Sequence, residues 1–313
     1  MTRLTALSTA AALLASTALA QEITVGAANV SDYLDPGRDH SNVGSQFYYN
    51  AFDTLIGKNH DEMQGEFVPA LATAWERIDD TTMELTLREG VTFHNGEAFT
   101  ADDVVFSLNR MYQATFPPYQ VRQRDRLANF EAAEKIDDYT VRVHVERPEP
   151  LFETLLNLQQ VMILPEDYTK ALTGDPAVAE NDDYEAFSLA PVGTGPYRIA
   201  EFRPGERIVY ERFEDFWGEA APLQRATVIR IPETASRITA LKTGEADIVT
   251  NIAPDQLALI DADPALSHVG SATALFHVMI MNANHPVIED PRIRRAMSLA
   301  VDRDTLNEAL WLG

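Results

Sequence analysis

The sequence predicts an α/β protein divided into more than one subdomain, and three observations carry that expectation. Segments of period-two alternation interleave along the chain with segments of helical period, which argues against an all-helical or all-β fold. The chain has 313 residues, long for a single hydrophobic core. It holds no internal repeat, no coiled-coil heptad and no low-complexity tract.

Residues 1–20 read as an export leader: Arg3 is the basic start, Leu4 to Ala15 a short apolar stretch, and Ala18-Leu19-Ala20 a small-x-small cleavage site. A buried N-terminal helix is disfavoured by the abrupt change to strand-like sequence after Gln21. The apolar stretch is too short, and too interrupted by Ser8, Thr9, Ser16 and Thr17, for a membrane span, and no later segment approaches one.

Glu22 to Ala27 alternates as a strand. Leu34-Asp35-Pro36-Gly37 is a turn. Ser45 to Leu55 carries Phe47, Ala51 and Leu55 at helical spacing and is expected to be a helix. Thr82 to Leu87 alternates, with Met83, Leu85 and Leu87 inward. Gly90 and Asn95-Gly96 are turns around a short strand, Val91 to Phe93. Thr100 caps a helix from Ala101 to about Tyr112, with Asp102 and Asp103 at the positive end of its dipole. Tyr139 to Val145 alternates again. Pro148 to Gln159 is expected to be a helix, Val161 to Leu164 a short buried strand, and Thr173 to Glu185 an acidic surface connection. A hairpin follows, Arg198–Phe202 with Arg207–Arg212, turned at Pro204-Gly205. Thr227–Ile231, a helix from Pro232 to Lys242 ended by Gly244, and Ala246–Thr250 form a βαβ-like unit. Pro254 opens a short helix, Leu275 to Asn282 reads as a strand, and Pro291 to Val301 as an amphipathic helix. The chain stops at Trp311-Leu312-Gly313 without a cap.

The chain has no cysteine. An exported protein of this kind takes nothing from disulfides, carries no lipidated N-terminal cysteine, and has no thiolate metal site. That points to a free protein in a periplasm. Its formal net charge is −23, a field that repels nucleic acid and anionic lipid and tolerates neutral or cationic ligands. The chief effect of that charge is a well-solvated surface.

Enzyme signatures are absent. There is no Gly-x-Ser-x-Gly elbow. His40, His60, His94, His144, His268, His277 and His285 form no His-Glu-x-x-His pair. Gly193-x-Gly195 is followed by Pro196, and Arg198 occupies the third glycine's position, so the segment fails as a dinucleotide loop. No Walker-type phosphate loop occurs. Asp79-Asp80, Asp102-Asp103 and Asp182-Asp183 read as turn and cap residues of an acid-rich chain. His40 near Asp32, Asp35 and Asp39 reads as a hydrated loop in preference to a metal site. No cofactor and no metal are expected.

Three motif stretches carry a resemblance. One runs Phe67-Val68-Pro69-Ala70-Leu71-Ala72-Thr73-Ala74-Trp75 and on through Leu87-Arg88-Glu89-Gly90-Val91-Thr92-Phe93-His94-Asn95-Gly96 to Thr100-Ala101-Asp102-Asp103-Val104. Another is Pro191-Val192-Gly193-Thr194-Gly195-Pro196-Tyr197, with Phe216-Trp217-Gly218. The last is Asp290-Pro291-Arg292-Ile293-Arg294-Arg295-Ala296, with Ala300-Val301-Asp302-Arg303. In this order the chain resembles the peptide/nickel-type solute-binding proteins (family 5) of ABC importers. Trp75 and Phe93 read as core anchors. Gly193 and Gly195, between Pro191 and Pro196, read as a directed crossing of the chain. Arg292, Arg294 and Arg295 read as partners of surface acids.

The resemblance implies a two-lobed periplasmic-binding-protein fold that closes on solute by hinge motion, with an extra subdomain inserted in lobe I. Residues 21–59 and 187–271 would form the lobe I core, 60–186 the insert, and 272–313 the start of lobe II, most of which lies outside the sequence. It implies a monomeric, periplasmic receptor, not an enzyme, that delivers a small peptide or peptide-like solute to the membrane permease of an ABC importer and binds no nucleic acid. Receptors for nickel chelates, opines or oligosaccharides are the nearest alternatives. Presentation of solute to a chemoreceptor is another, and a secreted hydrolase a distant one. Ligands of α/β lobes lie on loops at strand ends. The candidate solute contacts are therefore Tyr33, His40, Ser45 and Gln46 before and on the first helix, Gln159 and Gln160, and Phe276.

Overall fold

The computed structural model describes residues 22–38, 43–59, 65–113, 128–174, 184–270 and 278–311. The leader expected at 1–20 lies outside them, as do His40 and Phe276. In chain order the strands are β1 (Glu22–Ala27), β2 (Ile56–Lys58), β3 (Phe67–Pro69), β4 (Ala72–Arg77), β5 (Thr82–Leu87), β6 (Phe130–Asp137), β7 (Thr140–Val145), β8 (Tyr197–Arg203), β9 (Arg207–Arg212), β10 (Arg225–Arg230) and β11 (Ile248–Val249). The helices are α1 (Ser45–Tyr48), α2 (Ala101–Gln113), α3 (Phe152–Leu156), α4 (Glu166–Thr173), α5 (Tyr184–Leu189), α6 (Thr234–Thr243), α7 (Leu257–Asp261), α8 (Pro291–Ala300) and α9 (Arg303–Trp311), with 3-10 turns at Gln159–Val161 and Pro254–Gln256. Among the described residues no helix is long and apolar enough to cross a membrane. The chain forms two compact units, the larger built on Val30–Val228 and the smaller on Thr24–Asn29 with Ile229–Gly313.

The centre of the larger unit is an antiparallel sheet of order β4-β5-β7-β6. Its register sets Trp75 opposite Leu85, and Leu85 opposite Val141. Period-two alternation puts Met83, Leu85 and Leu87 with Val141, Val143 and Val145 on one buried face. α2 covers β6 and β7, adding Val104, Leu108 and Met111 to the same core. Phe93 is fully buried, and Trp75 packs half-buried at the edge of the cluster. The start of α2 is a capping box. The Asp102 amide donates to Thr100 Oγ1 at 3.3 Å, and the Thr100 amide donates to Asp103 Oδ2 at 2.8 Å.

The β8–β9 hairpin pairs Phe202 with Ile208 and turns at Gly205, whose φ of +68° favours glycine. The Gly205 amide donates to the Ser31 carbonyl at 2.9 Å, which ties the hairpin tip to the loop before α1.

In the smaller unit β1 runs parallel to β11, with Val25 beside Ile248 and Gly26 beside Val249. The Ile231 amide donates to the Ala27 carbonyl at 2.7 Å, bringing the end of β10 to the side of β1 opposite β11. α6 connects these segments and ends at Gly244 in the left-handed conformation. On α6 sits Arg237, only 2% exposed. It donates to the carbonyls of Thr250, Ile231, Pro232 and Asn251 at 2.6–3.0 Å and to Thr234 Oγ1 at 3.1 Å. Asn251 itself has φ +57°. α8 begins at Asp290, which accepts from the Arg292 amide at 2.8 Å.

Several expected elements differ from those observed. The helix expected at Ser45–Leu55 ends at Tyr48. Beyond it the backbone is taken by distant segments. The Asn50 and Ala51 carbonyls accept from Tyr197 and Gly195, Asp53 from Ile163, and Leu55 from Ala72. Phe47, Ala51 and Leu55 are all buried, so the apolar spacing marked core and not helix. The helix expected from Pro148 is confined to Phe152–Leu156, and Val161–Leu164 is buried but forms no ladder. There the Ile163 amide donates to the Asp53 carbonyl and the Leu164 amide to Ser107 Oγ. The strand at Val91–Phe93 reduces to a single bridge, Thr92 to Ala98. Tyr184 and Glu185, expected in a connection, open α5. Of the strand expected at Leu275–Asn282, residues 278–282 are described and unpaired; alternation makes a strand only where a partner strand supplies the ladder. Arg292 does hold an acid, Asp290, whereas Arg294 donates to the Ile288 and Glu289 carbonyls.

Candidate functional site

α2 is buried on two faces. Val104, Leu108 and Met111 meet the sheet, while Asp103, Ser107 and Arg110, at i, i+4 and i+7, form a buried polar stripe. Each member of the stripe holds another segment. Asp103 Oδ1 accepts from the Glu166 amide at 2.9 Å, and burial lifts its pKa to about 6. Ser107 Oγ donates to the Leu164 carbonyl and accepts from the Leu164 amide. Arg110 binds Asp35 through both terminal nitrogens, at 3.0 and 2.6 Å, with side chains 1% and 0% exposed. The bidentate geometry gives two parallel charge-assisted bonds, which offset the cost of burying both charges.

Asp35 is thereby fixed in the loop that precedes α1. Its Oδ1 also accepts from the Gly37 amide at 2.9 Å, and its carbonyl from the Arg38 amide at 2.9 Å. Tyr48 of α1 donates its hydroxyl to the Tyr33 carbonyl at 3.0 Å, and the Ser31 hydroxyl donates to that carbonyl at 2.6 Å. The Tyr33 ring lies under the Arg38 guanidinium, 3.7 Å from its centroid. Loop, α1 and α2 thus form one hydrogen-bonded assembly within the larger unit.

A second cluster gathers the motif residues. Gly193 and Gly195 pass so close to Ala51 that a Cβ at either would stand 2.1 or 2.6 Å from its backbone, so only glycine fits. His94 brackets this passage. Its Nδ1 accepts from the Gly193 amide at 3.3 Å, so Nε2 carries the proton donated to the Gly195 carbonyl at 2.9 Å. Burial holds the His94 pKa down at about 4, and the ring stays neutral. Asp53 Oδ2 accepts from Thr194 Oγ1 at 2.9 Å and from Trp217 Nε1 at 3.0 Å. Crowding by protein atoms raises the Asp53 pKa, and these two donors oppose the rise. Arg88 caps the Trp217 ring at 4.3 Å. The motifs around Gly193 and Trp217 are therefore joined through Asp53.

Of the residues singled out in the sequence, Tyr33 is half-buried in the clamped loop, Ser45 opens α1 half-buried, and Gln46 is exposed on α1. Gln159 and Gln160 are 7% and 3% exposed, in the 3-10 turn that packs on α2. α2 is thus the element common to both sets. Sequence reasoning missed the Asp35–Arg110 pair. Its signal was an arginine inside a helix with too little polar surface to need one, but the partner lies 75 residues away.

The described residues build an α/β scaffold in which buried polar side chains lock loops onto helices. The model of bacterial extracellular solute-binding proteins, family 5 (middle region), matches residues 66–313, and the chain belongs to that family. The peptide transport periplasmic protein SapA of Salmonella typhimurium is 27% identical over 83% of this chain and 50% of its own length. The periplasmic binding protein DppA of Helicobacter pylori, solved with the peptide STSA, superposes with a TM-score of 0.77 at 23% identity, over 93% of this chain and 58% of that one. NikZ of Campylobacter jejuni, solved with Ni(L-His), gives a TM-score of 0.77 at 21% identity, over 92% and 55%. The fold is that of the two-lobed periplasmic binding proteins, and the chain spans about half the length of the curated relatives it matches.

Proposed function

We propose that this protein is the periplasmic receptor of an ABC importer, capturing a peptide-like solute and delivering it to the membrane permease as a monomer. The observation that carries the reading is family membership over residues 66–313, beside relatives named for peptide transport. In this reading residues 21–59 and 187–271 are the core of lobe I, 60–186 its insert, and 272 onward the start of lobe II. Binding, not turnover, is the activity. Solute that touches both lobes favours the closed form, and solute that touches one lobe favours neither.

The clamped loop with Tyr33, helix α1 with Ser45 and Gln46, and the turn with Gln159 and Gln160 supply hydroxyls and amides of the kind that hold a peptide backbone without reading its side chains. His40 and Phe276 belong to the same proposal. Native mass spectrometry of the intact protein purified from its periplasm, followed by calorimetry with short peptides, tests it. Co-purified peptides and saturable peptide binding are expected. A protein that ignores peptides but is stabilised by nickel chelates, opines or oligosaccharides would overturn the peptide assignment.

A further inference from the structure

Arg38 differs from the other buried and half-buried arginines among the described residues. Every other buried or half-buried arginine among the described residues is paired with a carboxylate or donates to a carbonyl, from Arg110 on Asp35 to Arg237 on its ring of carbonyls. Arg38 is half-buried, yet among the described residues its guanidinium meets the Tyr33 ring, 3.7 Å from the centroid, and no carboxylate or carbonyl. A guanidinium stacked on a ring at that separation leaves its N–H edges to acceptors beyond the ring. Asp35 of the same loop is taken by Arg110.

The cation is also held in place before any ligand arrives. The Arg38 amide is bonded to the Asp35 carbonyl, and the Gly37 amide to the Asp35 side chain. The Tyr33 carbonyl is bonded by Ser31 and Tyr48. A planar fork fixed on an aromatic platform matches a carboxylate in two parallel hydrogen bonds, with little side-chain entropy left to lose. The formal charge of −23 sharpens the requirement, because an anionic group entering this field needs a local cation.

We infer that Arg38, carried on Tyr33, is the anchor for a carboxylate of the solute, the C-terminal carboxylate if the solute is a peptide. The inference rests on the peptide reading above and adds the ligand's charge and the residue that takes it.

The test is calorimetry on the intact protein with Ala-Ala-Ala and its C-terminal amide. The unaltered protein is expected to prefer the free acid by about 10-fold or more, the scale of one charge-assisted contact. Arg38→Ala and Arg38→Gln are expected to bind the acid about 10- to 100-fold more weakly and to lose the preference, while Arg38→Lys retains part of it. Thermal unfolding separates a merely structural role: variants that weaken acid and amide equally, with a lowered midpoint, overturn the inference. So does a preference that survives in Arg38→Gln, or an unaltered protein that binds acid and amide alike. If the unaltered protein binds neither peptide, the peptide reading itself fails, an outcome distinct from a failure of Arg38 alone.

Discussion

In the larger unit a buried guanidinium faces a carboxylate; in the smaller unit one faces main-chain carbonyls. Arg110 and Arg237 are 1% and 2% exposed, so each must replace its whole hydration shell with protein acceptors. Arg110 does so in part with the Asp35 carboxylate, and the pair pins a loop to a helix. Arg237 does so with carbonyls from the two sides of α6, at Ile231 and Pro232 and at Thr250 and Asn251. The ion pair is local chemistry that two matched substitutions can replace. The carbonyl ring belongs to the path of the backbone and has no exchangeable partner.

The largest effect that would break this contrast concerns Arg110. Arg110→Met leaves Asp35 buried and charged, and is expected to lower unfolding free energy by about 3–5 kcal/mol in urea titration. Arg110→Met combined with Asp35→Asn is expected to recover much of that loss. If the double variant is no better than the single one, the pair is not separable and the contrast fails. Next comes Arg237→Met, expected to cost about 2–3 kcal/mol by leaving carbonyls without donors. Its amide-exchange protection should fall around residues 231–251 while the β5 and β7 amides are unchanged. Arg237→Lys should restore little, because a point charge cannot span carbonyls arranged around a fork.

The smallest effect sharpens the contrast by adding a group that is buried uncharged. Arginine keeps its charge at any working pH, whereas His94 is neutral in the fold with its pKa held at about 4. The unfolded chain takes up a proton near 6.5, so His94 contributes stability that is full above that pH and is lost as pH falls toward about 4. Asp103, raised to about 6, acts in the opposite sense, favouring the fold at low pH and less so as pH rises from about 4 to 6. Between pH 7 and 5 the unaltered protein should lose up to about 2 kcal/mol relative to His94→Gln in paired urea titrations. Parallel pH profiles for the two proteins would remove His94 from this role.

The elements legible in the sequence are those decided by neighbours in the chain. The alternation of Thr82–Leu87, the Thr100 cap, the Pro204-Gly205 turn and the Gly244 stop each depend on a few adjacent residues. The failures are those decided by distant partners. Ser45–Leu55 has a helical apolar spacing, but Gly195, Tyr197, Ile163 and Ala72 claim its carbonyls. Asp103 and Ser107 look like solvent-facing helix residues until Leu164 and Glu166 are laid across them. At the site, the loop around Tyr33 was legible from its turn residues, whereas the pair that fixes it joins Asp35 to Arg110 across most of a subdomain. Gly193 and Gly195 read as a directed crossing from sequence, and their contact with Ala51 supplies the steric reason.

The hairpin tip offers a practical use for this wiring. The Gly205 amide is bonded to the Ser31 carbonyl, and Ser31 in turn holds Tyr33. Glu206 beside it is exposed, and the chain has no cysteine of its own. Glu206→Cys would therefore accept a single fluorophore, wired through the hairpin to the loop that carries Tyr33 and Arg38.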